Sequence, residues 1–174
     1  MIGEIKGASG FLVDRLFAKW SFKVGKHWTL LEGNDSGETY EEEKPSVEEA
    51  FFWDHPFDVH YKATNVRGWP KIVIEVWEID AVGRYSIGGY GVATVPFAPG
   101  EHKVRVHSWR PRPQGLWERI AGSLVGTKPE LEFKDILLSS ADRFGMHTES
   151  TGVVDIMVGV IPKDFGLYGL SLGE

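Results

Sequence analysis

The chain has 174 residues, of which 42% are hydrophobic and 25% are charged, and its formal net charge is −6. A length in the usual range of single domains predicts one domain that buries its core without a metal or a disulfide. The negative charge argues against a general nucleic-acid binder, because neutralising phosphates requires a cationic surface.

The sequence contains no cysteine, which excludes disulfide frameworks, zinc ribbons, iron–sulfur clusters and thiol nucleophiles. Its first residues, MIGEIKGASG, lack a basic segment followed by an apolar one. No run of about 18 apolar residues occurs anywhere in the chain. We therefore expect a protein of the cell interior that does not span a membrane.

Alternation of apolar and polar residues with a period of two dominates the chain and predicts an all-β fold. The predicted strands are IGEIKG, LFAKWSFKVG, HWTLLEG, FDVHYKAT, KIVIEVWEID, YSIGGYGVATV, EHKVRVHSW and GVVDIMVGVIP, with an edge strand near residues 39–43. In the second of these, one row is apolar and is expected to face the core: Leu16, Ala18, Trp20 and Phe22.

The segment KIVIEVWEID predicts a central strand, because both of its faces are largely apolar. We expect Ile72, Ile74 and Val76 on the core face, and Trp77 covering the other face. The next segment, YSIGGYGVATV, is interrupted by glycines and predicts a bulge or a bend within a strand.

One segment, QGLWERIAGSLVG, predicts a short helix, because Leu116, Ile120 and Leu124 recur at helical spacing and Gly126 can end the helix. The segment ELEFKDILLSS is compatible with a strand or with irregular structure. Eight or nine strands with one short helix predict a single antiparallel β-sandwich.

Charge is unevenly distributed along the chain. Residues 32–58 carry ten acids against one base, Lys44, whereas residues 101–119 carry five bases against two acids. In EHKVRVHSW, Val104 and Val106 are expected to point inward. The opposite row of that strand predicts an exposed contact surface, composed of Lys103, Arg105, His107 and Trp109 and extended by Arg110.

This surface is a candidate for contact with an acidic protein partner or with anionic lipid. The alternative is a charged face that only keeps an edge strand soluble. The sequence does not decide between these possibilities.

Other kinds of site are poorly supported. The string HPFDVH brings His55, Asp58 and His60 together, but a zinc site would need further ligands that the sequence does not place nearby. A calcium loop needs several converging carboxylates, and Asp80 stands alone beside Arg84. No P-loop and no G-x-S-x-G elbow occurs. We predict no catalytic residue, no cofactor and no metal.

The central third of the chain carries a set of closely spaced motifs. They are G-W-P at 68–70, V-W at 76–77, D-x-x-G-R at 80–84, G-Y-G at 89–91, P-G-x-H at 99–102 and W-R-P at 109–111. This set resembles the signature of the B9-domain family, C2-like proteins of the ciliary transition zone. The opening I-G-x-I-x-G-A-S-G-F and the motifs L-F-x-K-W, W-x-H-P-x-D-x-H and S-A-D-R are similar to one of the short members of that family. The resemblance runs from Ile2 to about Gly169 and implies a single C2-like domain over residues 2–169.

The resemblance also implies a function. Members of this family are non-enzymatic scaffold components of the Meckel syndrome complex, located in the cytoplasm and cytoskeleton at the basal body and transition zone. There they support cilium assembly and the gate for ciliary membrane proteins. The resemblance implies that this chain bridges other B9-domain proteins, and the alternative is a calcium-independent phospholipid-binding module. The family supplies no catalytic or ligand-binding residues to transfer.

Overall fold

The computed structural model describes residues 1–44, 50–112 and 147–163. They form ten strands: β1 (Ile2–Ser9), β2 (Arg15–Lys23), β3 (Trp28–Gly33), β4 (Ser36–Glu38), β5 (Glu42–Glu43), β6 (Phe51–Ala63), β7 (Lys71–Ile79), β8 (Tyr85–Thr94), β9 (Gly100–Pro111) and β10 (Thr148–Val160). The predicted helix at 114–126 and the segment 130–140 lie outside the described residues.

The strands pair antiparallel in the order β3-β6-β1-β10-β9-β8-β7-β2-β4, with β5 also paired to β2. The sheet curls so that residues of β2 pack on β6, which is far from it in this order: the ring centroids of Trp20 and Phe57 are 5.7 Å apart. The all-β antiparallel prediction is confirmed. The two layers of the sandwich are halves of one continuous sheet.

The core fills the space between these halves. Its buried side chains come from β1, β2, β6, β7, β9 and β10, with Phe11 and Val95 added from the connections. The apolar row of β2 and the core face of β7 are buried as predicted, and Ala18, Ile74 and Val76 have no exposed surface. Burial of this kind is the main favourable contribution to folding of such a sheet.

A smaller apolar cluster covers part of the outer face, as expected for β7. Val73, Ile87 and Tyr90 are buried there, with Trp77 and Trp109 packed against them. Trp77 also stacks on Phe17, at 6.2 Å between ring centroids. Both faces of β7 are therefore covered, which explains why both are apolar.

The irregularities of the sheet agree in part with the sequence. The glycine-rich strand β8 has its bulge at Gly88, because Val76 pairs with Gly89 and Trp77 with Ile87. β6 begins six residues earlier than predicted, at Phe51. Pro56 within that segment is unusual for a paired strand, yet it lies opposite Glu4 of β1. Between Ile5 and Gly7 the register shifts by one residue, because two residue steps of β1 lie opposite three of β6.

Candidate contact surface on strand β9

The outer face of β9 carries three exposed polar side chains, Lys103, Arg105 and His107. We call these three residues the basic row. Val106 points inward and is 1% exposed, whereas Val104 is only half-buried against the core. The predicted alternation is therefore present, and the basic row lies on a strand that is paired with β10.

β9 is not an edge strand, because it lies between β10 and β8 in the sheet. It pairs along its length with β10 and meets β8 where Tyr90 lies opposite Trp109. The pairing with β8 lies at that end of the strand, beyond the basic row, so β10 is the strand that holds Lys103, Arg105 and His107 in register.

Trp109 lies at the end of the same row but is half-buried. Its ring lies 6.0 Å from that of Tyr90, which is completely buried. Trp109 therefore joins the outer apolar cluster and helps to hold β8 against β9. The structure gives it a packing role, which the sequence did not indicate.

Arg110 points to the opposite face of β9, away from the basic row. Its guanidinium pairs with Glu149 of β10 and lies 3.6 Å from Oε1 of Glu78, a largely buried carboxylate of β7. The hydrogen bond from Arg110 lowers the pKa of the Glu149 carboxyl, and Arg112 contributes less to the same shift. The structure separates Arg110 from the surface to which the sequence assigned it.

Carboxylates share the outer face with the basic row: Glu101, two residues before Lys103 on the same side of β9, is exposed, and Asp155 of β10 lies opposite Arg105. Oδ1 of Asp155 lies 3.5 Å from Nε of Arg105 and 3.7 Å from Nζ of Lys103. Both distances exceed the 2.7–3.2 Å, approximately, of an ordinary N–H···O hydrogen bond. Because these distances are long and both cations are exposed, an external acid can still reach Lys103 and Arg105.

Apolar side chains lie next to these charges. Met157 is the cross-strand partner of Lys103, and Val153 is the partner of His107. Both are half-buried on the outer face of β10. The arrangement combines steering charges with an apolar surface, a composition that suits a protein interface better than a small-molecule site.

A profile of the family described as "Ciliary basal body-associated, B9 protein" matches residues 1–161. B9 domain-containing protein 2 of Homo sapiens is 38% identical over 172 residues, covering 98% of this chain and 97% of that protein. The chain belongs to the B9 family. The B9 domain-containing protein 2 of Danio rerio is 37% identical over the same coverage, and B9 domain-containing protein 1 of Homo sapiens is 30% identical, with 84% of that protein covered.

The family profile bears the designation B9-C2, in agreement with the predicted C2-like fold. Among solved structures, a C2 domain of plant extended synaptotagmin 1 matches with a TM-score of 0.44 and 11% identity, covering 90% of this chain and 88% of that one.

The B9 motif D-x-x-G-R forms a closed turn between β7 and β8. Oδ1 of Asp80 accepts hydrogen bonds from the backbone N–H groups of Val82 and Arg84, both at 2.9 Å. Its Oδ2 lies 2.7 Å from Nε of Arg84. These bonds lower the pKa of Asp80. The carboxylate that occupies this loop is therefore fully engaged in holding the turn.

The acidic stretch of this B9 protein contributes to the fold more than the sequence suggested. The predicted edge strand is replaced by two short strands, β4 and β5, which pair with β2. Glu41 accepts a 2.7 Å hydrogen bond from the hydroxyl of Tyr85 and lies 3.2 Å from Nη2 of Arg15. The bond to Glu41 raises the pKa of Tyr85. Acidic residues expected in a polar connection thus fasten it to the sheet.

Metal-ligating clusters and membrane-crossing helices are both missing from the described part of this B9 protein. Its residues contain no group of three or more histidine or acidic side chains placed to hold a metal ion. No helix among them is long and apolar enough to cross a membrane.

Proposed function

We propose that this B9 protein is a non-enzymatic scaffold of the Meckel syndrome complex at the ciliary transition zone, where it bridges other B9-domain proteins. In this role it supports cilium assembly and the gate for ciliary membrane proteins, from the cytoplasmic and cytoskeletal side of the cilium base. The family description, which places B9 proteins at the ciliary basal body, supports the location.

One structural observation carries the proposal of a binding role. The basic row projects from a strand that is paired along its length with β10, which holds the exposed charges of Lys103 and Arg105 in fixed positions. Exposed charges of this kind act mainly on the rate and salt dependence of association. An acidic face of another B9-domain protein is the partner that this chemistry fits.

The experiment compares the partners recovered from ciliated cells by the tagged wild-type protein and by a variant carrying Lys103→Glu and Arg105→Glu. We expect the double variant to lose other B9-domain proteins from the recovered set and to lose its enrichment at the transition zone. Retention of both properties would contradict the proposal.

A matched control carries Lys23→Glu and Lys26→Glu. Both lysines are exposed, and this variant changes the net charge by the same amount as the first. We expect it to recover the same partners as the wild-type protein. Melting temperatures of all three purified proteins show whether each variant is folded.

A second candidate function is calcium-independent binding of anionic phospholipid. The observation that favours it is the proximity of the half-buried Met157 to Lys103, since an apolar side chain next to a cation suits a lipid interface. Flotation with phosphatidylserine vesicles and with neutral vesicles tests it. Binding of the wild-type protein to the anionic vesicles alone, lost in the double variant, would favour lipid over a protein partner.

A further inference from the structure

An aromatic pocket lies at the end of the sandwich where β10 ends. Trp28, Tyr61 and Trp69 line it, and its volume is about 230 Å³. Trp28 forms the middle wall. Its ring lies nearly perpendicular to Trp69, at 85° and 5.1 Å between centroids, and to Tyr61, at 76° and 6.4 Å. Three rings in this arrangement form a concave apolar surface.

Hydrogen bonds fix two of these rings. Nε1 of Trp28 donates to the carbonyl of Arg67 at 3.1 Å, and Nε1 of Trp69 donates to the carbonyl of Val95 at 2.8 Å. Trp69 is stacked further on Phe97, at 4.5 Å between centroids. A ligand would therefore meet walls that are already in place, which reduces the entropy lost on binding.

The hydroxyl of Tyr61 has no hydrogen-bond partner among the residues that the structure describes, although it is buried. Burial is the main cause that raises the pKa of Tyr61 to about 12, so the hydroxyl remains a donor at neutral pH. A buried donor without a partner destabilises the site that contains it. An acceptor oxygen supplied by a ligand would remove that destabilisation.

Basic side chains line the pocket, and two acids lie close to its lining: Asp58 beside His60, and Asp35, whose charge acts on Tyr61. Lys163 and His60 line the pocket itself, and no carboxylate does so within the described part of the chain. Asp58 lies 3.0 Å from Nε2 of His60, so Lys163 is the cation best placed to meet an external acid. Exposed leucine and isoleucine side chains, Leu31 and Ile161, extend the apolar rim.

We propose that the aromatic pocket binds an extended segment of a protein partner that carries a bulky apolar residue next to an acidic one. The apolar side chain packs between Tyr61 and Trp69, the acid faces Lys163, and a carbonyl oxygen of the segment accepts the hydrogen bond from Tyr61. A peptide fits better than a lipid here, because the site offers one buried donor in a preformed pocket of side-chain size.

The pocket shares no residue with the basic row. A protein that bridges two partners needs two separate surfaces, and the pocket supplies the second. In that respect the inference rests on the proposed function. Binding to the pocket can nevertheless be measured on the purified protein alone.

The test uses two nine-residue peptides, acetylated and amidated at their ends, with a central leucine in a serine–threonine background. One peptide has aspartate on both sides of the leucine and the other has lysine. Titration is followed by the indole N–H signals of Trp28 and Trp69 in nuclear magnetic resonance spectra. We expect the aspartate peptide to shift both signals and to bind several-fold more tightly than the lysine peptide.

Two variants test the assigned contacts. Tyr61→Phe keeps the ring but removes the hydroxyl. We expect it to lower the affinity for the aspartate peptide about two- to tenfold, the effect of one neutral hydrogen bond. Lys163→Gln should remove most of the preference for aspartate over lysine. Equal affinities of the two peptides, or an unchanged affinity in Tyr61→Phe, would overturn the proposal.

Two further outcomes distinguish this proposal from a lipid site and from the proposed scaffold function. Phosphatidylserine vesicles that shift the same signals while neither peptide does so would make the pocket a lipid site and overturn the proposal. The variant Lys103→Glu with Arg105→Glu is expected to bind the aspartate peptide normally. Failure of the peptide to bind, with loss of B9 partners in that double variant, would leave the proposed function standing and overturn the pocket proposal alone.

Discussion

Asp155 lies directly opposite Arg105 in the β9–β10 ladder, and its carboxylate is within ion-pair distance of both Arg105 and Lys103. Together with the exposed Glu101 on the same face, it moderates the charge of the basic row. Because its distances to both cations are long, it reduces the charge of the surface but leaves both cations accessible to a partner.

Replacement of Asp155 by asparagine should therefore increase the positive charge of the surface that the basic row forms. We expect faster association with an acidic B9 partner and a steeper dependence of the association rate on salt, because one opposing charge is removed. The free energy of unfolding should change by less than about 1 kcal/mol, because the two cations are exposed and their contacts with the half-buried Asp155 are long. Stopped-flow association at two ionic strengths measures the first effect, and slower association would contradict the role given to Asp155.

The core assignment is tested at Ile74, which has no exposed surface and pairs with Trp20 of β2. Ile74→Asp places an unpaired charge in the core and should unfold the domain. Ile74→Val, at the same position, should lower the free energy of unfolding by only about 0.5–1.5 kcal/mol. Circular dichroism and urea denaturation distinguish the two outcomes, and a folded Ile74→Asp with an unchanged melting temperature would refute the assignment.

Alanine substitutions at two glycines with positive φ can distinguish the cost of backbone strain from the cost of steric overlap. Gly68 has φ +74°, and an added Cβ would lie 2.4 Å from Cα of Gly25, whereas Gly83 has φ +81° and open space around it. Gly83→Ala should cost about 1–2 kcal/mol from the left-handed conformation alone. Gly68→Ala should cost clearly more, because the backbone near Gly25 must also move. Equal losses in urea denaturation would show that the close approach is unimportant.

The pKa of Glu149 reports on Arg110. Arg110 holds this pKa below its ordinary value of 4.5, so the ion pair stabilises the fold above that value and loses its effect as the pH falls through the lowered pKa. Arg110→Gln should return the Glu149 carboxyl toward its ordinary titration and make unfolding less sensitive to acid. Arg112→Gln should have a smaller effect. Carboxyl carbon signals followed between about pH 2 and pH 7 measure both shifts, and an unchanged titration in Arg110→Gln would contradict this assignment.

Period-two alternation was sufficient to predict the rows that are buried in the core. It placed Leu16, Trp20 and Ile74 correctly, because a strand with one buried face carries apolar residues at every second position. It also located the irregularity of β8, since glycines within a strand favour bulges.

Contacts between distant segments could not be predicted in this way. The pairing of Arg110 with Glu149 joins residues 39 positions apart. The alternation within β9 puts Arg110 on the row of Val104 and Val106, opposite the basic row, but it does not show which acid Arg110 meets there. The pocket formed by Trp28, Tyr61 and Trp69 combines three strand ends or loops in the same manner. The sequence also placed Trp109 on the exposed surface, which was wrong, because its burial depends on Tyr90 in a neighbouring strand.

The most direct test of the central claim is the salt dependence of binding between this B9 protein and a purified second B9-domain protein. The association rate is measured from low to high ionic strength for the wild-type protein, for Lys103→Glu with Arg105→Glu, and for the control Lys23→Glu with Lys26→Glu. We expect the first double variant to associate more slowly at low salt, with the difference vanishing at high salt, and the control to match the wild-type protein. Identical rates for all three proteins at every ionic strength would contradict the claim that the outer face of β9 is a contact surface.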